Sequence, residues 1–377
     1  MKYKFEDIAI NSTAKKLPEP SDNEHYIGLE HLDSGNLYVT RWGADTAPIG
    51  EKLLMKKGDV LFGKRRAYQK KVGIAPFDGI FSAHGMVLRP KEDVICKEFF
   101  PFFISSDYFL NEAIRISVGG LSPTINWKDL RVLEFELPSL EEQRVLADKL
   151  WAAYEVKESY KNLLAQTDIV LHAQFEKMFG DVENTNYDIK EIKSFANCYA
   201  GATPSTRIAA YWENGNIPWM SSGEVHQGRV VKTEQFITQN GYDNCSTKMV
   251  PKHSVVIALA GQGKTRGTVA ITEIDLCTNQ SLCAIIPDKT VLPDYLYYHL
   301  RGRYMEIRRL AANADGRGGL NLSIINKIEV ITPPMEKQLE FVRIAEQAER
   351  TKASLNKGIE AIEAVIRSLI AEGTTKV

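Results

Sequence analysis

The sequence predicts an α+β chain of two β-rich domains, each followed by a long helix, with the two helices pairing as an antiparallel coiled coil under pseudo-twofold symmetry. Three observations carry this. The chain repeats itself at an offset of 195 residues. Each copy opens with short apolar runs broken by Gly, Pro and Asn, the pattern of strands and turns. Each copy closes on a proline-free segment whose apolar residues recur at alternating intervals of four and three, the period of a helix packed on another helix.

The repeat is clearest around two prolines. "LPSLEEQRVLADKL" (137–150) lies over "TPPMEKQLEFVRIA" (332–345), placing Pro138 on Pro333 and Gln143 on Gln338. Upstream, Asn126 falls on Asn321 and Glu134 on Glu329, in strand-like runs that end at those prolines. "DVLFG" matches "SVVIA", and "KVGIA" matches "RGTVA". A tandem duplication follows, with a first domain over 1–138, a central helix over 139–180, a second domain over 181–333 and a C-terminal helix over 334–377.

Both helices carry boundary signals. Ser139 with Glu142 three residues on reads as a capping box, and Gly180 as the residue that ends the helix. The second helix starts near Pro334, suited to an early helical position, and runs towards Gly373. At 1.5 Å per residue, each helix of about 40 residues is about 60 Å long. The first seam reads Leu146, Leu150, Ala153, Lys157, Tyr160, Leu164, Thr167, Leu171, Gln174; adding 195 to each gives Phe341, Ala345, Ala348, Lys352, Leu355, Ile359, Ile362, Ile366, Leu369. Terminal amphipathic helices commonly mediate oligomerisation. Identical register in both copies favours pairing within the chain, which would set the domains at opposite ends of a spacer.

The composition excludes several classes. With 377 residues, 44% hydrophobic and 25% charged, the chain is ordinary globular material with room for two domains. Its formal net charge is −1, so attraction to a polyanion has to come from local clusters of Lys and Arg. The five cysteines are scattered, with no C-x-x-C and no paired His spacing, so no metal site is expected. The start, "MKYKFEDIAINSTAKK", has no apolar signal core, and no uncharged apolar run approaches the roughly 18 residues of a membrane span. A soluble, cytoplasmic chain without a membrane partner is expected.

One such cluster lies in 52–71, "KLLMKKGDVLFGKRRAYQKK", with eight basic residues against the single Asp59. Most charge runs are only solvated faces. This one is interrupted by an aromatic and an amide and sits between the strand-like "VLF" and "VGIA", at a hairpin tip. Lys64, Arg65, Arg66, Tyr68, Gln69, Lys70 and Lys71 are therefore candidate DNA contacts, cations for phosphates with Arg, Lys and Gln able to read base edges. The equivalent tip of the second copy, "LAGQGKTR" (259–266), offers Gln262, Lys264, Thr265 and Arg266 on a glycine-rich backbone.

That second tip also fits the relaxed nucleotide-loop pattern [AG]-x-x-x-x-G-K-[ST] through Ala258, Gly263, Lys264 and Thr265. A phosphate loop works by placing amides and Lys at the start of a following helix. Here "GTVAIT" (267–272) reads as another strand, and the duplicate tip has no G-K-[ST]. Both points weigh against a phosphate loop.

In its two domain–helix units the chain resembles the specificity subunit of type I restriction-modification enzymes. The likeness covers almost the whole chain and rests on "GGLSPTINWKDLRVLEFELPSLEEQRVLADKL", "GGLNLSIINKIEVITPPMEKQ", "FEKMFGD", "GATPST" and "IPWMSSGEV". It implies two target-recognition domains, each reading one half of a split asymmetric DNA sequence, joined by helices whose length sets the gap between half-sites. It implies partners: double-stranded DNA, two methyltransferase subunits docked on the helices, and nuclease/translocase subunits. Adenine would be methylated at N6. S-adenosylmethionine, ATP and Mg would belong to those subunits, with no cofactor on this chain. The first domain departs in lacking the "AGATPST" stretch of the second, although "YIGLEHL" (26–32) still looks like the counterpart of "WMSSGEV" (219–225).

No catalytic residue is assigned. The chain has no [DN]-P-P-[YFW], which would hold a flipped adenine, and "TPPM" (332–335) lacks both its acid or amide and its aromatic. A glycine fingerprint for S-adenosylmethionine is missing too. His84 and His253 have no catalytic companions in sequence, and Trp42, Trp212 and Trp219 read as domain core. Besides the DNA-binding subunit, two readings stay open at this point: a P-loop-type nucleotide-binding protein working through 263–265, and a non-catalytic coiled-coil scaffold.

Overall fold

The computed structural model describes residues 1–46, 48–261, 263–310 and 319–375. They form two compact units, 1–162 with 355–377, and 163–354. The division falls within the long helices, so each helix gives one part to each unit.

In the first unit, strand Lys2–Lys4 pairs antiparallel with Glu134–Glu136, which brings both ends of the β-rich domain to the start of the central helix. An antiparallel sheet runs in the order Ala9–Ser12, Gly85–Pro90, Val60–Gly63, Val72–Ile74. Val60, Leu61 and Phe62 are consecutive and all buried, as a strand covered on both faces requires. A second sheet holds Lys15–Lys16, Lys52–Met55, Gly79–Phe81 and Tyr26–Ile27, the last pair parallel. The core is aromatic: Phe5, Phe62, Phe99, Phe102, Phe103, Phe109 and Phe135 cluster with Ala147, Leu150 and Tyr154 of the central helix.

The second unit repeats this plan. Ile189–Glu191 pairs with Glu329–Ile331, and its main sheet runs Ala196–Ala200, Leu282–Pro287, Val255–Ala258, Val269–Thr272, with Arg229–Val230 added in parallel. The small sheet holds Ile217–Met220 parallel to Cys277–Thr278, as Tyr26–Ile27 is parallel to Gly79–Phe81 in the first. Each of these strands leads into a 3₁₀ turn, Leu29–His31 or Ser222–Gln227. "YIGLEHL" and "WMSSGEV" are thus the same element in two copies.

The long helices are Leu140–Phe179 and Met335–Thr375. Ser139 caps the first: the Glu142 amide donates to its Oγ at 3.3 Å, and its own amide donates to Glu142 Oε2 at 2.9 Å. Gly180, at φ 75°, ends it. At the second, the Pro334 carbonyl accepts the Lys337 and Gln338 amides. This helix does not stop at Gly373 but passes through it to Thr375. Gly373 is a packing residue, since a Cβ there would lie 2.8 Å from Leu146 Cδ1.

Every seam position is buried or half-buried, including Leu164, Leu355, Ile359 and Ile362. In the first unit Leu146 and Leu150 share a core with Ile366 and Leu369, and the Tyr160 ring lies against Gly358. In the second, Leu171 shares one with Phe341, Ala345 and Ala348.

Candidate nucleic-acid interface

The first tip, 64–71, is carried by the hairpin Val60–Gly63 with Val72–Ile74. A single 3₁₀ turn, Ala67–Gln69, stands between Arg66 and Lys70, both left-handed at φ 54° and 48°. Such a backbone costs a non-glycine residue about 1 kcal/mol, and anchors on both sides hold it. Ala67 is buried, the Arg66 amide donates to the Pro123 carbonyl at 2.8 Å, and the Ile125 amide to the Lys64 carbonyl at 2.9 Å.

The seven predicted contacts divide by environment. Arg65, Arg66 and Tyr68 are exposed. Lys70 and Lys71 instead fasten the loop, Lys70 Nζ to Asp107 at 2.5 Å and Lys71 Nζ to the Leu29 carbonyl at 2.5 Å. Gln69 and Lys64 are half-buried, and burial, with Lys15 nearby, lowers the Lys64 pKa. Arg65 Nη1 lies 3.3 Å from His84 Nε2. Partial burial of the ring, then Arg65, Lys64 and Lys52, lower the His84 pKa.

The second tip follows the same register, on Val255–Ala258 and Val269–Thr272. Gly263 and Gly267 take φ 61° and 82°, which the glycine-rich run supplies without strain. Lys264 is exposed, while its carbonyl accepts the Tyr304 hydroxyl at 3.0 Å and Thr268 Oγ1 at 2.7 Å. Thr265 Oγ1 is 3.1 Å from His226 Nε2. Arg266 is half-buried, and its Nε has no protein partner among the described residues. Gln262 lies outside the described residues.

A short helix, Tyr304–Leu310, packs beside this tip and brings Arg308, which donates to the Tyr304 hydroxyl at 2.6 Å. Sequence reasoning misses Arg308, although "RGRYMEIRRL" is visibly basic. The other singled-out residues take several places. His84 and His253 are exposed. Trp219 is buried with Trp212 edge-on at 5.1 Å. Trp42 departs from the core reading, being 49% exposed against Phe77. Among the described residues no group of His, Cys, Asp and Glu is arranged to hold a metal, and no helix is long and apolar enough to cross a membrane.

The second tip runs into a strand and not into a helix. It therefore lacks the aligned amides that receive a phosphate, and the nucleotide-binding reading loses its basis.

Two stretches, 5–166 and 184–364, match the family described as type I restriction modification DNA specificity domain. The chain belongs to this family. Among curated proteins, this specificity-domain chain is 26% identical over 172 residues to the type I restriction enzyme EcoR124I/EcoR124II specificity subunit of Escherichia coli, covering 45% of this chain and 43% of that protein. It is 27% identical over 188 residues to the MjaIX specificity subunit of Methanocaldococcus jannaschii, covering 49% and 43%. The chain thus spans less than half the length of these two relatives. Over 343 residues it is 21% identical to the EcoKI specificity subunit of Escherichia coli K12, covering 79% and 68%. Its fold is that of the type I restriction-modification S subunit from M. genitalium, with a TM-score of 0.58, 13% identity, and 100% and 96% coverage. A chain from a structure of type I R-M complex assembly and conformational transition gives a TM-score of 0.60 at 16% identity, covering 99% and 97%.

Proposed function

We propose that this chain is the non-catalytic, sequence-specific DNA-binding subunit of a type I restriction-modification enzyme, reading a bipartite asymmetric site. The observation that carries the reading is the duplicated hairpin. Two copies of one domain present a cation-bearing tip at the same place in the fold, with different side chains: Arg65, Arg66 and Tyr68 in one, Lys264, Thr265 and Arg266 in the other. Equal scaffolds with unequal tips suit two unequal half-sites.

The helices pair as an antiparallel coiled coil and act as the spacer between half-sites. The 4-3 burial rhythm and the shared cores of Leu146 with Ile366 and Leu171 with Phe341 support this. Two methyltransferase subunits dock on the helices, where Leu163, Ile169 and Val170 remain exposed. S-adenosylmethionine, ATP and Mg act on those and the nuclease/translocase subunits, in the cytoplasm.

Mapping of N6-methyladenine in a host that carries this chain with its methyltransferase tests the reading. The expected result is a two-part motif with a fixed spacer. Methylation at a continuous motif, or none, rejects it.

A further inference from the structure

We infer that Leu121 makes an apolar contact to the bases of DNA beside the 64–69 tip. The inference rests on the DNA-reading function proposed above and concerns a residue outside the tips themselves.

Leu121 is 99% exposed, with Val118 at 57% on the same loop. An isolated surface leucine needs no explanation. This one stands on a loop that is closed and fastened. The Val118 amide donates to the Thr124 carbonyl at 3.0 Å and the Thr124 amide to the Val118 carbonyl at 2.9 Å. Gly119 turns the chain at φ 113°, a backbone that favours glycine, and nothing lies within 4 Å of a Cβ built at Gly120. Leu121 therefore sits at the free end of a hydrogen-bonded turn.

That turn is joined to the cationic tip through backbone. Pro123 accepts the Arg66 amide at 2.8 Å, Lys64 accepts the Ile125 amide at 2.9 Å, and Arg65 bridges to Thr124. Two exposed guanidinium groups and an exposed leucine are thus held on one backbone frame. The exposed charges that this frame itself carries, Arg65 and Arg66, are cationic, which favours a polyanion as the occupant. Against a duplex held through its phosphates, an aliphatic side chain touches bases in two ways. It packs on a thymine methyl in the major groove, or presses into a partly unstacked step.

The test uses the full chain assembled with its methyltransferase subunits, on a duplex carrying the mapped site, with fluorescence anisotropy as the readout. Leu121→Asn is expected to weaken the specific complex about tenfold, the low end of what one base pair's recognition carries, while the salt dependence stays that of the unaltered chain because no phosphate contact is lost. Replacing thymines by uracils in the half-site reproduces the loss if a methyl is read. A 2-aminopurine that brightens with the unaltered chain but not with Leu121→Asn marks a parted step. Unchanged affinity overturns the inference, as does a loss to which neither probe responds, or a weakened assembly with methyltransferase. Arg65→Glu with Arg66→Glu is run alongside. If the unaltered chain shows no site preference, the DNA-reading function fails; if the preference falls with the arginine pair and not with Leu121→Asn, only this inference fails.

Discussion

Gln143 and Gln338, separated by 195 positions, make the same three hydrogen bonds, each in its own unit. Gln143 accepts the Cys96 amide at 2.8 Å and donates to the carbonyls of Val94 and Pro138 at 3.1 and 2.9 Å. Gln338 accepts the Leu292 amide at 2.8 Å and donates to Thr290 and Pro333 at 3.0 and 2.9 Å. Both side chains are fully buried. A primary amide is suited to the place, since it offers one acceptor and two donors to loop backbone that has no ladder partner.

Gln143→Leu fills similar volume but leaves an amide and two carbonyls unpaired. At about 1 to 3 kcal/mol for each buried group left unsatisfied, partly relieved by water, the expected loss is about 3 kcal/mol in urea unfolding. Gln338→Leu should match it. A loss under about 0.5 kcal/mol, the size of an ordinary surface change, would mean these bonds do not hold the loops.

The cations of the first tip should separate by role. Arg65→Glu with Arg66→Glu replaces two exposed cations by anions and so removes at least two phosphate contacts, and the slope of log K against log salt should fall by about 2 or more. Lys71→Ala breaks a strut to the Leu29 carbonyl and should lower thermal stability with a smaller change in slope. Equal slope changes for both variants would dissolve the distinction between contact and strut.

Local pattern made much of this legible. Pro138 and Pro333, the 4-3 rhythm from Leu146 to Leu171, and the strand runs flanking both tips are short-range signals, and the structure follows them. Long-range pairing was not legible. Nothing near Lys71 says that its amine turns to Leu29, and nothing near Lys70 names Asp107, 37 residues away. Gly373 resembles a helix stop because glycine commonly is one. Only the opposing Leu146 reveals it as a packing contact. Leu121 is not legible in the sequence because an apolar residue in a glycine-rich loop carries no periodic signal.

The strand after Lys264 and Thr265 predicts that the chain alone gives no binding heat with Mg-ATP in calorimetry. Saturable heat that Lys264→Ala abolishes would restore the nucleotide reading.

His299 makes stability pH-dependent. Burial above all, then Arg303, pushes its pKa down to about 3 from 6.5, and its Nε2 accepts the Ile331 amide at 3.1 Å. Between those values the unfolded chain binds a proton that the folded chain refuses, so stability falls as pH drops below 6.5. The slope from this group approaches about 1.4 kcal/mol per pH unit. His299→Gln keeps an acceptor for Ile331 without the titration. Comparing urea midpoints at pH 7.5 and 5.5 should show a smaller drop for the variant; equal drops would remove His299 as the cause.

Gly358 lies in the interior of the C-terminal helix, where glycine costs about 1 kcal/mol relative to alanine. Propensity alone therefore predicts that Gly358→Ala stabilises the chain. The structure predicts the reverse, because the new Cβ would lie 2.5 Å from Tyr160 Cε2 and 2.9 Å from Cδ2. An aromatic ring wedged between two helices yields less readily than a flexible chain end, and overpacking of this kind costs about 1 to 3 kcal/mol. Removing the ring should change the sign: in a Tyr160→Ala background, Gly358→Ala should gain up to about 1 kcal/mol, the helix propensity term now acting alone. A double-mutant cycle by chemical denaturation measures this as a coupling between the positions. If Gly358→Ala stabilises the chain with Tyr160 in place, the ring does not occupy that space and the contact between the two helix segments is looser than the structure has it.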